Sequence, residues 1–185
     1  MTNVINLFSG AGAGKSTTAA ALFSELKIRG LNVELVHEYI KSWAYEKRMP
    51  QQMDQLHILG MQSKSESLLY HKVDFIITDS PLLIIPFYEN LLTGRDIVKP
   101  AVFNFIDFAK EKGVVYHNYF LDRPENYDQN GRYQTLEEAK AIDQKMKDWL
   151  LENKVEFKEL PANHEKRIET ILRDLSIFEI QKLSK

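Results

Sequence analysis

The sequence predicts an α/β fold in which a parallel β-sheet is wrapped by helices. Three observations carry that prediction. Short runs rich in β-branched and aromatic residues alternate with amphipathic stretches at helical spacing, the order that lays helices over both faces of a parallel sheet. A glycine-rich segment, residues 9–17, falls directly between the first such run and the first helical stretch. The 185 residues are 44% hydrophobic and 27% charged, enough to bury one core without compositional disorder.

Residues 4–8 read as a buried first strand and residues 33–37 as a second. Between them Ala19, Leu22, Phe23 and Leu26 recur at helical spacing, and Gly30 supplies the stop. Residues 53–70 are a second helix, residues 75–78 a third strand, residues 102–112 a third helix and residues 114–121 a fourth strand. Thr135 followed by Glu138 forms a capping box that opens a helix with the stripe Ala139, Ile142, Met146 and Trp149. Residues 155–160 read as a fifth strand interrupted by Lys158 and Glu159, and a last helix carries Ile168, Ile171, Leu172 and Leu175. No linker or repeat divides the chain, so residues 1–185 are expected to form one domain, with a lid at about residues 122–135 and a tail at residues 176–185.

Composition excludes several functions. Acidic residues (26) against basic residues (24) leave a net charge of −2, which argues against holding nucleic acid by bulk electrostatics but leaves a local basic channel open. Without cysteine there are no disulfides, thiolate metal sites or cysteine nucleophiles, which fits a reducing cytosol. The start Met1-Thr2-Asn3-Val4 lacks the features of a signal peptide, and no apolar run approaches the ~20 residues of a membrane span. The expectation is a soluble, cytoplasmic type of protein.

After the first strand stands Ser9-Gly10-Ala11-Gly12-Ala13-Gly14-Lys15-Ser16-Thr17. Glycines let consecutive backbone N–H groups converge on one concavity, and the following helix adds its positive end, so the segment suits an anion. Lys15 would reach the β- and γ-phosphates of a nucleotide, and the Ser16 hydroxyl would ligate Mg²⁺. Ser9 stands where the usual pattern has glycine. Gly10, Ala11, Gly12, Ala13, Gly14, Lys15, Ser16 and Thr17 are the expected nucleotide-binding residues, with ATP and Mg²⁺ as cofactors.

Ligands of parallel sheets gather at the carboxyl ends of the strands. Asp79 leaves the third strand there and is placed to hold Mg²⁺; a helix N-cap before Pro81 is the competing use. Glu38, after the second strand, suits a base that accepts a hydroxyl proton, or else is a solvated loop acid. Arg123 and Arg132 flank the Pro/Asn/Asp-rich loop after the fourth strand, where a closing loop would bring guanidinium groups onto a transferring phosphoryl group and exclude water. The competing use is an exposed loop with two solubilising arginines. Tyr39, Trp43, Gln55, Gln62 and Tyr88 are candidate acceptor-binding residues, since a flat ring could stack on the aromatics and be read by an amide; such aromatics also belong in cores.

Together, Gly10 to Thr17, Glu38-Tyr39, Asp54-Gln55 with Gln62, the run Val73 to Pro81 and the Arg123…Gly131-Arg132-Tyr133-Gln134 segment resemble the P-loop kinases of nucleosides and nucleotides. Within them the pattern is most similar to a bacteriophage ATPase/kinase group related to the nicotinamide riboside kinase domain. The resemblance implies a three-layer α/β/α fold with a five-stranded parallel sheet and a mobile lid. It also implies ATP as donor, Glu38 as base, Asp79 near the metal, lid arginines on phosphates, and Pro161 and Ala162 near adenine. Deoxynucleoside and thymidylate kinases usually carry Arg after the third-strand acid; this chain has Ser80. A nucleoside or nucleotide is the expected acceptor, with a hydroxymethyl pyrimidine within DNA, an acceptor-free ATPase or nucleotide sensor, and a homodimer left open.

Overall fold

The alternation of strand-like and helical stretches is realised in a computed structural model that describes residues 1–51, 53–124 and 135–177. In chain order the elements are β1 (Thr2–Phe8), α1 (Lys15–Ile28), β2 (Val33–Val36), α2 (Lys41–Tyr45), α3 (Asp54–Ser67), β3 (Phe75–Thr78), α4 (Ile84–Thr93), α5 (Lys99–Glu111), β4 (Val114–Leu121), α6 (Leu136–Glu152), β5 (Lys158–Leu160) and α7 (His164–Asp174). The strands form one sheet in the order β2-β3-β1-β4-β5. β3 runs parallel to both β1 and β2, with Val4 opposite Ile76 and Val36 opposite Thr78, and β5 runs parallel to β4. This is the five-stranded parallel α/β fold that the sequence predicts.

The expected capping box is present: Glu138 N–H donates to Thr135 Oγ1 at 3.2 Å and Thr135 N–H donates to Glu138 Oε2 at 2.8 Å. Two helices escape the sequence reading. α2 is only five residues long. α4 opens within the apolar run Leu82-Leu83-Ile84-Ile85-Pro86-Phe87 and carries a proline in its first turn, a short stretch that periodicity alone does not tell from a strand or a turn. β5 is confined to Lys158–Leu160, so the two charged residues expected to interrupt the strand lie within it, exposed, and residues 155–157 precede it. Among the described residues no helix is long and apolar enough to cross a membrane.

The chain divides into two compact units, one comprising Met1–Asn6 and Asn32–His117, the other Leu7–Leu31 and Asn118–Lys185. The first has a core of Val4, Val36, Val73, Ile76, Ala109 and Val114, against which Leu69, Tyr70 and Tyr116 pack. The second buries Leu7, Phe8, Leu22, Leu26, Phe120, Leu121, Met146, Leu160 and Ile171. Within it, α7 packs on α1, and Tyr119 OH donates to Asp174 Oδ2 at 2.6 Å.

The first unit also buries an acid. Glu66, on α3, is fully enclosed; its Oε1 accepts from Tyr70 OH at 2.5 Å and from Tyr116 OH at 3.1 Å, while its Oε2 meets no donor. Burial outweighs the two hydroxyls and pushes the carboxyl up to about 7 from an ordinary 4.5. Between those values the folded state holds a proton that the unfolded chain releases. Stability from this group is therefore complete below about pH 4.5 and declines as pH rises toward 7, by roughly 3 kcal/mol. Glu66→Gln should remove that decline, leaving the variant more stable than wild type at pH 8 by up to about 3 kcal/mol and little changed at pH 5. Urea denaturation at both pH values checks this; an unaltered difference between them would acquit Glu66.

Candidate functional site

The glycine-rich segment is the turn from β1 into α1. Gly14 caps α1 with φ 92° and ψ 24°, and Gly12 has φ 86°, both in the left-handed region where a Cβ is penalised. Thr18 N–H donates to Gly14 O at 2.9 Å, which starts the helix. Lys15 folds back across the loop, its Nζ donating to Ser9 O at 2.7 Å and to Gly10 O at 3.0 Å. An ammonium held over a ring of backbone groups at a helix N-terminus is suited to the far end of a polyphosphate. Ser16 and Thr17 are exposed in the first turn of α1.

Arg123, expected on phosphates, has another task in this structure. Its Nε and Nη2 lie 2.9 and 2.8 Å from Asp143 Oδ2, and its Nη1 donates to Ala11 O at 2.7 Å. Asp143, on α6, also accepts from Gly10 N–H at 2.5 Å. A Cβ built on Gly10 would come within 2.9 Å of Asp143 Oδ1, so glycine is needed here for close approach. The pair is well buried, with side chains 5% and 13% exposed. Arg132 lies outside the described residues, as does most of the predicted lid.

A second arginine, which the sequence reading passed over, braces the same loop. Arg167, on α7, is 2% exposed. Its Nε donates to Pro161 O at 2.7 Å, Nη1 to Ala13 O at 2.9 Å and to Thr18 Oγ1 at 3.3 Å, and Nη2 to Asp122 O at 2.5 Å. One guanidinium thus joins the phosphate loop, the end of β4 and the loop after β5 that holds Pro161 and Ala162. The available signal was its place four residues before Ile171 on the buried face of α7. Asp143 gives no such sign, lying next to Ile142 on a helix with other acids.

In the first unit, Glu38 and Tyr39 follow β2, and Asp79 follows β3. A buried amide holds both loops: Gln62 Oε1 accepts from Tyr39 N–H at 3.0 Å, and Gln62 Nε2 donates to His37 O at 3.3 Å and to Ser80 O at 3.2 Å. Gln62 is therefore engaged with backbone on either side of Glu38 and next to Asp79, where the sequence suggested that it reads a ring. Gln55, two turns earlier on α3, is 4% exposed, and among the described residues its amide makes no hydrogen bond. Tyr39 OH lies 2.8 Å from His57 Nε2, and its ring meets Trp43 edge-on at 6.2 Å. Trp43 is buried under the Arg48 guanidinium, 3.6 Å from the ring centroid. Tyr88 is half-buried, edge-on to Phe87 at 5.1 Å.

Asp79 is 7% exposed, and the N-cap of α4 is Leu83, so the acid does not cap that helix. The Ser16 hydroxyl and the Asp79 carboxylate are hard oxygen donors of the kind Mg²⁺ takes. Among the described residues no group of three or more His, Asp or Glu could hold a metal ion.

The Arg123–Asp143 pair makes a stability prediction. Asp143→Ala strips a buried guanidinium of its carboxylate and should cost about 3–5 kcal/mol in urea denaturation. The double variant Arg123→Met/Asp143→Leu should cost less than Asp143→Ala alone, and strict additivity of the two single changes would mean that the charges do not interact.

A family model described as an AAA domain matches residues 4–167. No curated protein matches the chain. Among solved structures it is similar to NadR protein in complex with NR, at TM-score 0.70 and 13% identity, over 93% of this chain but only 51% of that one. It is likewise similar to thymidylate kinase from Ehrlichia chaffeensis, at TM-score 0.63 and 13% identity over 95% of this chain and 100% of that one. Deoxyadenosine kinase from M. mycoides with bound dATP aligns at TM-score 0.54 and 16% identity over 94% of this chain and 98% of that one. These likenesses are of fold, and the chain spans about half the length of the NadR chain. With its phosphate loop, its strand order and the 4–167 match, the chain belongs to the AAA-domain family.

Proposed function

We propose that the protein is a phosphotransferase that moves the γ-phosphoryl group of ATP to a hydroxyl of a nucleoside- or nucleotide-type acceptor. The observation that supports this most is the loop from β1 to α1, with Lys15 closed over it and left-handed glycines at 12 and 14. The similarity in fold to NadR and to thymidylate and deoxyadenosine kinases supports the reaction class.

In this reading the acceptor oxygen attacks the γ-phosphorus as the bond to the β-phosphate oxygen breaks, ADP leaves, and the hydroxyl proton passes to Glu38. Lys15 binds the phosphoryl oxygens and steadies their charge through the transfer. Ser16 and Asp79 would hold Mg²⁺, which when bound neutralises phosphate charge. Gln62 keeps the loop bearing Glu38 and the loop bearing Asp79 in fixed register, an acceptor-side feature that a simple hydrolase or nucleotide switch does not need. Gln55, a buried amide on the same face of α3 as Gln62, is suited to read the acceptor because an amide both donates and accepts. Tyr39, Trp43 and Tyr88 would line that region, Pro161 and Ala162 would face the base of ATP, and Arg132 would reach the phosphates.

Lys15→Ala should lower turnover by roughly a thousandfold or more. Glu38→Gln should leave ATP affinity within about twofold while slowing transfer roughly 10²–10⁴-fold. Incubation with Mg·ATP and a panel of nucleosides, nucleotides, nicotinamide riboside and hydroxymethyl-pyrimidine DNA, read by mass spectrometry, should show one phosphate gained by a small molecule. ATP hydrolysis indifferent to every acceptor would overturn the transferase reading.

A further inference from the structure

We propose that Arg167 is a positioning residue for the triphosphate, a fixed cation behind the phosphate loop that acts through the Ala13–Gly14 peptide. The inference rests on the reading that this loop binds ATP. Arg167 Nη1 donates to the carbonyl of Ala13 at 2.9 Å, and that carbonyl shares its peptide with the N–H of Gly14. A Cβ on Gly14 would stand 3.1 Å from the same Nη1, so the guanidinium lies directly against this glycine. A cation on the C=O of a peptide polarises its N–H, and hydrogen bonds in such a chain strengthen one another. Gly14 N–H belongs to the loop whose amides cradle phosphates in proteins of this pattern.

The charge of Arg167 is not cancelled locally. All its hydrogen bonds go to neutral oxygens, those of Ala13, Pro161, Asp122 and Thr18, and among the described residues no carboxylate forms an ion pair with it. The acid nearest in effect is the side chain of Asp122, which is 44% exposed and lies 3.7 Å from Lys147. Burial lowers the pKa of Arg167, but a guanidinium stays charged throughout the physiological range. Arg123 is the internal contrast. It too donates to a loop carbonyl, that of Ala11, yet Asp143 compensates its charge at 2.8 Å. Both arginines shape the loop, but the uncompensated one also lends it positive potential.

A simple rivet and a charged brace differ in how their loss depends on ligand charge. Calorimetric titration with adenosine, AMP, ADP and ATP separates them. Arg167→Gln should weaken ATP roughly 10–30-fold, ADP less, and adenosine by under about twofold. Arg167→Lys, which keeps the charge, should stay within about twofold of wild type for every ligand. Asp122→Asn, at a half-exposed side chain, keeps the backbone carbonyl that Arg167 uses and tests the charge without altering the arginine. It should tighten ATP roughly threefold and leave adenosine unchanged. Glu159→Gln, which releases Lys147 from its closer partner at 2.9 Å, should show no such gradation. If Arg167→Gln unfolds, Asp122→Asn against Glu159→Gln decides the matter. Losses equal for all four ligands, or an Asp122→Asn protein no different from Glu159→Gln, would overturn the inference. Wild-type protein that binds neither ADP nor ATP would instead overturn the phosphate-loop reading itself.

Discussion

A backbone loop can turn its N–H groups toward an anion only if the carbonyls of the same peptides turn away, because C=O and N–H point in opposite directions across a planar trans peptide. Those carbonyls need donors, since a buried acceptor without one is costly. In this protein the donors are three cations. Lys15 takes the carbonyls of Ser9 and Gly10, Arg123 takes that of Ala11, and Arg167 takes that of Ala13. Much of the second unit follows from that requirement. β4 ends where Arg123 can reach the loop, α6 brings Asp143 to hold Arg123 and Gly10, and α7 delivers Arg167. The loop's outer face is thus satisfied by residues drawn from across some 150 positions of sequence.

The first unit solves a different problem with a neutral group. Two loops, each carrying an acid, leave β2 and β3, and a cation between them would neutralise the carboxylates to which the proposed function gives work. Gln62 ties the loops by donating to two carbonyls and accepting one N–H, and so fixes them without adding charge. A leucine could fill the space but would leave three backbone groups unpaired; a lysine could satisfy only the carbonyls. This accounts for an amide at a position with 1% exposure in the middle of α3.

What was legible in the sequence follows the range of each interaction. β3 and β4 match their predicted bounds residue for residue, β3 as a fully buried apolar run and β4 as a β-rich run that is buried at its start and at its end. The capping box at Thr135 and Glu138 was legible because both partners lie within one turn. The glycines, Lys15 and Ser16 were legible for the same reason. α4 was hidden because it opens on a short apolar run with a proline in its first turn, which reads as readily as a strand or a turn. The partnership of Asp143 with Gly10 spans 133 positions, and that of Arg167 with Ala13 spans 154, so no local spacing announces either. Gln62 was found as a residue but given a different task, since an amide facing backbone and an amide facing a ligand are the same letter at the same helical spacing.

α3 shows how far one helical stripe can be specialised. Its buried positions are Gln55, Ile58, Gln62 and Glu66, three of them polar, at spacings of three and four that keep them on one face. The amide at 55 is buried, the amide at 62 holds three backbone groups, and the carboxyl at 66 is held by two tyrosine hydroxyls. All three belong to one rigid element, so the ionisation of Glu66 acts on the helix that also registers the loops around Glu38 and Asp79. Tyr70 and Tyr116 are both held well above the ordinary phenol range, chiefly by burial and then by the nearby carboxylate, so neither yields its proton as Glu66 ionises. If Glu38 is the proton acceptor, as proposed, lowering the pH acts on two carboxyl groups of the first unit. They act in opposite directions. Protonating Glu38 would remove the proposed base and lower turnover, whereas protonating Glu66 relieves a buried charge and adds stability.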